Sequence, residues 1–226
     1  MGILYKNEHL ACNDFCPPTK RSFQIFHPQP GLKHNQLDTP RSILLFILEG
    51  EIKFSTDTVY NRTLRENEIV LIPAGSNYSI EVKTASRMTS CCFSNDIKLC
   101  NRIHLESLSE YKKEHVYNYS TLKIQKEIHL YLSLLNNYLK DDIGCKHLQE
   151  LKLQELFILF RAYYTKEQLV NFFYPILSQD TDFSHFILSN YRSVMNVEEF
   201  AKMANISLST VSYTHLRAHE TDSYLV

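Results

Sequence analysis

Cysteine and histidine are the residues in this 226-residue sequence that could hold a metal ion or act as nucleophiles. Cys12 and Cys16 are separated by three residues and no second pair matches them, while Cys91 and Cys92 are adjacent. A zinc knuckle needs two close pairs that together supply four ligands, so neither spacing predicts a metal site. We expect these thiols to be free in a reducing compartment.

Enzyme chemistry is not predicted from the remaining residue patterns. His27 and His34 lie near predicted turns, and each stands alone. The sequence has no glycine-rich phosphate loop, no Ser-His-Asp order and no cysteine and histidine in a recognisable catalytic motif. We therefore predict that the protein is not an enzyme and has no catalytic residue, no metal and no cofactor.

The composition predicts a cytoplasmic protein with one or two domains. Hydrophobic residues make up 44% of the chain, enough for one substantial core and a second, smaller one. The first residues lack the apolar run of a signal peptide, and no segment stays apolar for the length of a membrane span, so we expect no membrane contact. The formal charge of −1 provides no overall basic field, so any contact with nucleic acid requires a local patch.

Residues 22–103 are predicted to form a β domain, because short runs of β-branched and aromatic residues alternate there with turn formers. The run SILLFIL (42–48) is apolar on both faces and predicts a central strand, whereas EIKFS (51–55) alternates and predicts a more exposed one. Three further strands are predicted at EIVLI (68–72), SIEVK (79–83) and MTSCCF (88–93). Many short strands at this spacing are typical of a small barrel or sandwich.

Apolar residues recur at helical steps in the second half of the chain. One stripe runs over 124–139 and ends near 141–144, and a second runs over 148–164. The segment 166–177 predicts another short helix that ends around Pro175. The first stripe could pack on the β domain or against a second copy of the chain, so intramolecular packing and a homodimer are both open.

The stretch NVEEFAKMANISLST (196–210) predicts a helix, a three-residue turn and the start of a second helix. Asn196 can cap the first helix, and Glu199 completes an Asn version of the capping box. Asn205 tolerates the left-handed backbone of a helix C-terminus, and Ser207 offers a second cap. The buried stripe consists of four residues, Val197, Phe200, Ala201 and Ala204. From spacing alone, a helix-turn-helix and an ordinary corner between two helices are both open.

The order of these parts resembles the AraC-type transcription regulators, in which a cupin-like sensory barrel and a helical linker precede two helix-turn-helix units. The likeness is carried by YYTKEQLVNFFYPIL (163–177), DFSHFILSNY (182–191) and MNVEEFAKMANISLST (195–210). It implies a sequence-specific DNA-binding regulator. The second helix of such a unit enters the major groove by its N-terminal end, where this chain has Ser207, Ser209 and Thr210.

The resemblance breaks off after Thr210. Where the family has an aromatic, a basic and another aromatic residue, this chain has Val211, Tyr213 and His215, and Arg217 is the remaining basic side chain. We predict that the DNA-binding domain is truncated inside its first helix-turn-helix and that 212–226 is a non-native tail. Such a fragment is expected to bind DNA weakly or not at all.

The likeness to cupins raises the question of a metal site, because many cupins hold a metal through histidines and a glutamate. This chain has no His-x-His, and Tyr78 stands where a later ligand would be, although Pro73 and Gly75 match. We predict a sensor that binds a small-molecule effector, with Phe46, Tyr78 and Phe93 as wall candidates that could equally be ordinary core residues. The alternative is a small-molecule-binding or metal-dependent cupin whose C-terminal helices mediate assembly.

Together these features predict an α+β fold: an N-terminal cupin-like β-barrel of the jelly-roll type, an α-helical linker or dimerisation hairpin, and a partial C-terminal helix-turn-helix. The expected partners are DNA, a small-molecule effector and a second copy of the chain. The expected segments are an arm (1–21), the sensory barrel (22–110), the helical linker (111–178), the partial DNA-binding domain (179–211) and the tail (212–226).

Overall fold

The computed structural model describes residues 15–94, 98–100, 103–104, 108 and 119–177. These residues all belong to Met1–Leu177, the first of the two units into which the chain divides. The predicted helix-turn-helix and the predicted tail lie outside the described residues.

Two antiparallel sheets face each other in the β domain. One has five strands in the order β1-β8-β3-β6-β11, the other has four in the order β2-β7-β4-β5, and β9 and β10 form a separate pair. The five strands predicted from the sequence are confirmed and correspond to β3, β4, β6, β7 and β8. The strand bounds are β1 Phe23–Phe26, β2 Lys33–Gln36, β3 Ser42–Glu49, β4 Glu51–Thr56, β5 Arg62–Arg65, β6 Glu68–Ile72, β7 Tyr78–Val82, β8 Arg87–Phe93, β9 Lys98–Cys100, β10 Ile103–His104 and β11 Leu122–Lys123.

Strand β3 is the centre of the five-stranded sheet, which confirms the sequence prediction for SILLFIL. It pairs with β6 on one side and with β8 on the other. Because side chains alternate along a strand, Leu44 and Phe46 pack into the core beneath the helices, whereas Leu45 and Ile47 pack into the core between the sheets. Burial on both faces explains why positions 43–48 of the run are all apolar.

Within the described residues, three helices follow the strands: α1 Lys126–Lys140, α2 Lys146–Tyr163 and α3 Lys166–Leu177. They cover the five-stranded sheet, so two antiparallel sheets and a helical layer give the α+β fold that the sequence predicted. None of the described helices is both long enough and apolar enough to cross a bilayer.

The apolar stripe of α1 is used within the chain. Ile128, Tyr131, Leu132 and Leu135 are buried in the same core as Phe46 of β3. This arrangement decides between the two uses left open by the sequence, because a stripe buried against the sheet cannot also contact a second copy.

Helix α3 differs from the prediction at its end, since it passes through Pro175 and continues to Leu177. A proline inside a helix has no N–H to donate to the carbonyl four residues earlier, which costs stability. Ile176 and Leu177 are both buried, and each contributes about 1.5–3 kcal/mol by leaving water. This gain outweighs the lost hydrogen bond, which explains why the helix does not stop at the proline.

Buried polar contacts fasten the helices to the five-stranded sheet. Thr89 Oγ1 of β8 donates to Asn136 Oδ1 of α1 at 3.2 Å, and Asn136 is 4% exposed. The Phe23 N–H of β1 donates to Gln149 Oε1 of α2 at 3.3 Å. Each contact satisfies a polar group that burial would otherwise leave unpaired.

Candidate functional site

A cavity of about 310 Å³ lies between the two sheets. Its walls come from β1, β3, β6 and β8 on one side and from β2 and β7 on the other. The apolar wall residues are Phe26, Pro28, Leu32, Ile43, Leu45, Ile72, Ile80, Val82 and Met88, and the polar ones are Gln24, His34, Tyr78, Ser90 and Cys92. This volume is at the lower end of the range for small-molecule sites.

Strand β8 separates the cavity from the helices. Met88, Ser90 and Cys92 line the cavity, whereas Cys91 and Phe93, which alternate with them, are buried in the core beneath the helices. A ligand between the sheets would therefore contact one face of a strand whose other face packs against the helices.

The polar groups of the cavity are few. Ser90 is 6% exposed, and its hydroxyl is available to a ligand as donor and acceptor. His34 Nε2 lies 3.3 Å from Tyr78 Oη, and His34 is exposed, so this pair marks the open side of the cavity. Burial raises the pKa of the Tyr78 hydroxyl, which is therefore neutral at physiological pH.

Cys92 is the thiol that faces the cavity. Burial raises the pKa of its thiol, although the nearby Arg41 guanidinium acts in the opposite direction. The neighbouring Cys91 is fully buried, and burial raises the pKa of its thiol further. The thiolate is the nucleophile in cysteine chemistry, so neither residue has the environment of a reactive cysteine.

The three wall residues predicted from the sequence do not lie together. Tyr78 lines the cavity. Phe46 and Phe93 are 0% and 1% exposed and lie in the core beneath the helices, where the Phe93 ring meets Phe157 edge to face at 5.3 Å. The opposite placement of Phe46 and Tyr78 follows from the alternation along their strands, which sends each side chain to one of two cores.

The cavity is also lined by Gln24, Ser90 and Cys92, which were not predicted from the sequence. A signal was present in MTSCCF, because Met88, Ser90 and Cys92 share one face at a spacing of two. Both faces of this strand carry a polar residue and a cysteine, so the face that meets the cavity could not be chosen from the sequence.

No group of three or more histidine, cysteine, aspartate or glutamate residues is placed to hold a metal ion in the part of the chain that the structure describes. The predicted DNA-contacting residues Ser207, Ser209 and Thr210 lie outside that part.

A family model for the ExsA N-terminal regulatory domain matches residues 42–172, which is more than half of the 226 residues. The match begins with β3 and extends into α3, so it includes most of the sandwich and the helical layer together. This chain belongs to the ExsA N-terminal regulatory domain family. That domain is part of AraC-family regulators, and membership supports the resemblance to AraC-type regulators found in the sequence.

Several solved structures with low sequence identity also resemble parts of the ExsA-type chain. The CENP-C cupin domain of Drosophila melanogaster is 19% identical, with 33% of this chain and 58% of that chain covered and a TM-score of 0.30. A cupin 2 conserved barrel domain protein from Leptotrichia buccalis is 14% identical, with 31% and 33% covered and a TM-score of 0.30. A cupin superfamily protein from Desulfitobacterium hafniense is 20% identical, with 35% and 73% covered and a TM-score of 0.30. The chain thus spans less than two thirds of the first two proteins, and likenesses at these TM-scores carry no functional argument.

No curated protein matches this member of the ExsA N-terminal regulatory domain family.

Proposed function

We propose that this chain is the sensory part of a sequence-specific DNA-binding transcription regulator, and that the cavity between its sheets receives a small-molecule effector. The family match over residues 42–172 is the observation that carries the proposal, because it identifies a regulatory domain. The cavity supplies a place for the effector, and the position of β8 between cavity and helices supplies a physical connection to the helical layer.

The lining of the cavity favours an uncharged and mainly apolar effector. No aspartate, glutamate, lysine or arginine is among the described residues that line the cavity. A charged ligand would lose its hydration without gaining a counter-ion, which costs several kcal/mol. A sugar would leave most of its hydroxyl groups without partners, since Gln24, His34, Tyr78, Ser90 and Cys92 are the polar lining residues.

Cys92 provides a direct test of effector binding. Because burial raises the pKa of its thiol, alkylation of Cys92 by iodoacetamide is expected to be slow at neutral pH and to accelerate as pH rises. An uncharged apolar probe, N-phenyl-1-naphthylamine, is expected to fluoresce on binding and to slow that alkylation about tenfold, as its binding excludes the reagent. Mass spectrometry of the Cys92 peptide measures the rate separately from the other thiols.

Ser90→Phe should fill the cavity and remove both probe fluorescence and probe-dependent protection. Ser79→Phe is the matched control, because Ser79 lies between the lining residues Tyr78 and Ile80 on β7 and faces the other way. Equal probe binding by the wild type and the Ser90→Phe variant would place the probe elsewhere and count against the effector cavity.

DNA binding rests on the sequence resemblance at 195–210, and the involvement of Ser207, Ser209 and Thr210 stays a proposal. A mobility-shift measurement on DNA upstream of the gene is expected to find weak or no binding by this chain, because the basic residues of a complete recognition helix are missing after Thr210. Specific, nanomolar and salt-sensitive binding by this chain would contradict the predicted truncation. Independent sequencing of the gene beyond codon 210 provides the matching control.

A homodimer is part of the proposal, although the face predicted for it is buried. The outward side of α1 and α2 carries four exposed apolar side chains that could replace it, namely Leu130, Leu134, Leu151 and Ile158. Exposed apolar residues grouped on one layer of helices are typical of protein contact surfaces.

A further inference from the structure

The outer edge of β1 lacks the features that protect the other edges of the two large sheets. Strand β1 pairs with β8 on one side, and the order of the five-stranded sheet places no described strand on its other side. The remaining edge strands carry charge or are very short: β2 contains Lys33, β5 contains Arg62 and Arg65, and β11 has two residues. Strand β1 reads FQIF, with no charged residue and no proline. Charge, proline and shortness are the usual means by which proteins prevent an edge from pairing with another chain.

The backbone of Ile25 points its N–H and C=O away from β8. The Cys92 N–H donates to Ser22 O at 2.7 Å, so pairing with β8 is made by Ser22 and then by every second residue, Gln24 and Phe26. Ile25 lies between two such residues, and no hydrogen bond within the described residues engages its backbone.

The hydrogen bond of Phe23, two residues before Ile25, shows which kind of partner binds at this edge. The outward N–H of Phe23 donates to Gln149 Oε1 at 3.3 Å. The amide oxygen of Gln149 therefore takes the position that the carbonyl of a neighbouring strand would occupy. One outward donor of β1 is met by a side chain, and the next, on Ile25, has no acceptor among the residues that the structure describes.

A groove of about 700 Å³ runs beside this edge. It is lined by the five consecutive residues 23–27, whose side chains alternate between the two faces of the sheet. A groove that contacts all five follows the edge of the strand rather than one face. Its other residues come from the C-terminal end of α1 and the segment before β1, namely Pro18, Thr19, Arg21, Leu139, Lys140 and Asp142.

The charges in the groove favour an acidic occupant. Arg21 is 4% exposed and pairs with Asp142 at 2.5 Å, so these two charges neutralise each other. Lys140 is exposed and forms no ion pair within the described residues, and it lies beside the apolar side chains of Leu139 and Ile25 in a wall that also contains the polar residues Thr19, Gln24 and His27.

We propose that the outer edge of β1 docks an extended segment of a partner protein, with alternating apolar and acidic side chains, as a sixth strand of the five-stranded sheet. The backbone of Ile25 supplies the hydrogen bonds, Ile25 and Leu139 receive the apolar side chains, and Lys140 pairs with a carboxylate. The docking site uses the outer edge of β1, whose Gln24 and Phe26 also line the effector cavity, and it does not depend on DNA binding.

Fluorescence anisotropy with a labelled peptide of alternating valine and glutamate tests this site on the full chain. We expect saturable binding, and we expect the same peptide methylated on alternate backbone nitrogens to bind about tenfold more weakly, because it loses the donors of one edge.

A valine-lysine peptide should also bind more weakly, because its lysines cannot pair with Lys140. Ile25→Pro removes the outward donor but keeps the pairs of Gln24 and Phe26 with β8, and should weaken binding about tenfold, whereas Ile25→Val should bind like the wild type.

Lys140→Glu should reverse the preference and favour the valine-lysine peptide. If the wild-type chain bound the methylated and unmethylated peptides equally well, the proposal would be overturned, because backbone hydrogen bonds would then not contribute to binding. An absence of saturable binding, or wild-type affinity in an Ile25→Pro chain with an unchanged circular dichroism spectrum, would overturn it as well. Self-association that Ile25→Pro abolishes would assign the edge to a second copy and exclude the acidic partner.

Discussion

Phe160→Ala is expected to lower the free energy of unfolding by about 4 kcal/mol, because it removes a large buried side chain and leaves a cavity. Phe160 is 1% exposed, and its ring centroid lies 6.4 Å from that of Phe46 on β3 and 6.0 Å from that of Phe173 on α3. The ring also meets Tyr164 edge to face at 5.4 Å. The Phe160 side chain therefore connects the sheet to two helices. The alanine side chain in the variant is too short to make any of these ring contacts.

Urea unfolding followed by near-ultraviolet circular dichroism measures this loss. Gln154→Ala is the control on the same helix, because Gln154 is exposed and lies outside the apolar surface proposed for a dimer, so its truncation should change the free energy of unfolding by about 0.5 kcal/mol or less. Similar losses in the two variants would show that the helical layer is not held to the sheet by the aromatic cluster.

Gly50→Ala is expected to cost about 3 kcal/mol of folding stability or to prevent folding, because two independent obstacles coincide at this position. Gly50 has a φ of +91°, in the region where a side chain is strained. A Cβ there would also lie 2.7 Å from the carbonyl oxygen of Ala85 and 2.9 Å from Cα of Ser86, and backbone atoms cannot move aside cheaply. Gly50 is the single residue between β3 and β4, which belong to different sheets, so the corner between the sheets depends on it.

Gly75→Ala measures the cost of the left-handed backbone alone, without a steric clash of the added Cβ. Gly75 has a φ of +77°, but apart from Gly75 and its two chain neighbours no described residue has an atom within 4 Å of the position that its Cβ would take. We expect a loss of about 1 kcal/mol in this variant, measured by the same thermal or urea unfolding. If both variants lost the same amount, the close approach of Gly50 to Ala85 and Ser86 would not matter for stability.

The strands and helices could be predicted from the sequence because their signals are local. The alternation in EIKFS, the two-faced apolar run of β3 and the helical spacing over 124–139 all arise within a few residues. Side-chain periodicity depends on backbone geometry that neighbouring residues share, so it survives without knowledge of the rest of the chain. Membership in a regulator family was also predicted from the order of these elements and is supported by the family match.

The candidate site could be predicted only in part, because it depends on which core each strand face meets. Tyr78 was identified and lines the cavity, but Phe46 and Phe93 lie on the helix side of the five-stranded sheet. An aromatic side chain can pack equally well in the core between the sheets or in the core beneath the helices. The residue type therefore does not indicate which face of the sheet it lies on. Polar lining residues such as Ser90 were missed because a serine in a strand is usually read as a solvent-facing position.

The sequence by itself determined the element types, the central position of β3, the absence of catalytic motifs and the likeness to a family of regulators. The tertiary structure decided that α1 buries its stripe on the sheet, that the chain changes sheets at Gly50, and that a cavity opens beside Ser90 and Tyr78. The physical reason is the separation along the sequence of the residues that interact. Periodicity is set by residues a few positions apart. Burial and cavities are set by groups such as Thr89 and Asn136, which are 47 positions apart and meet only when the chain is folded.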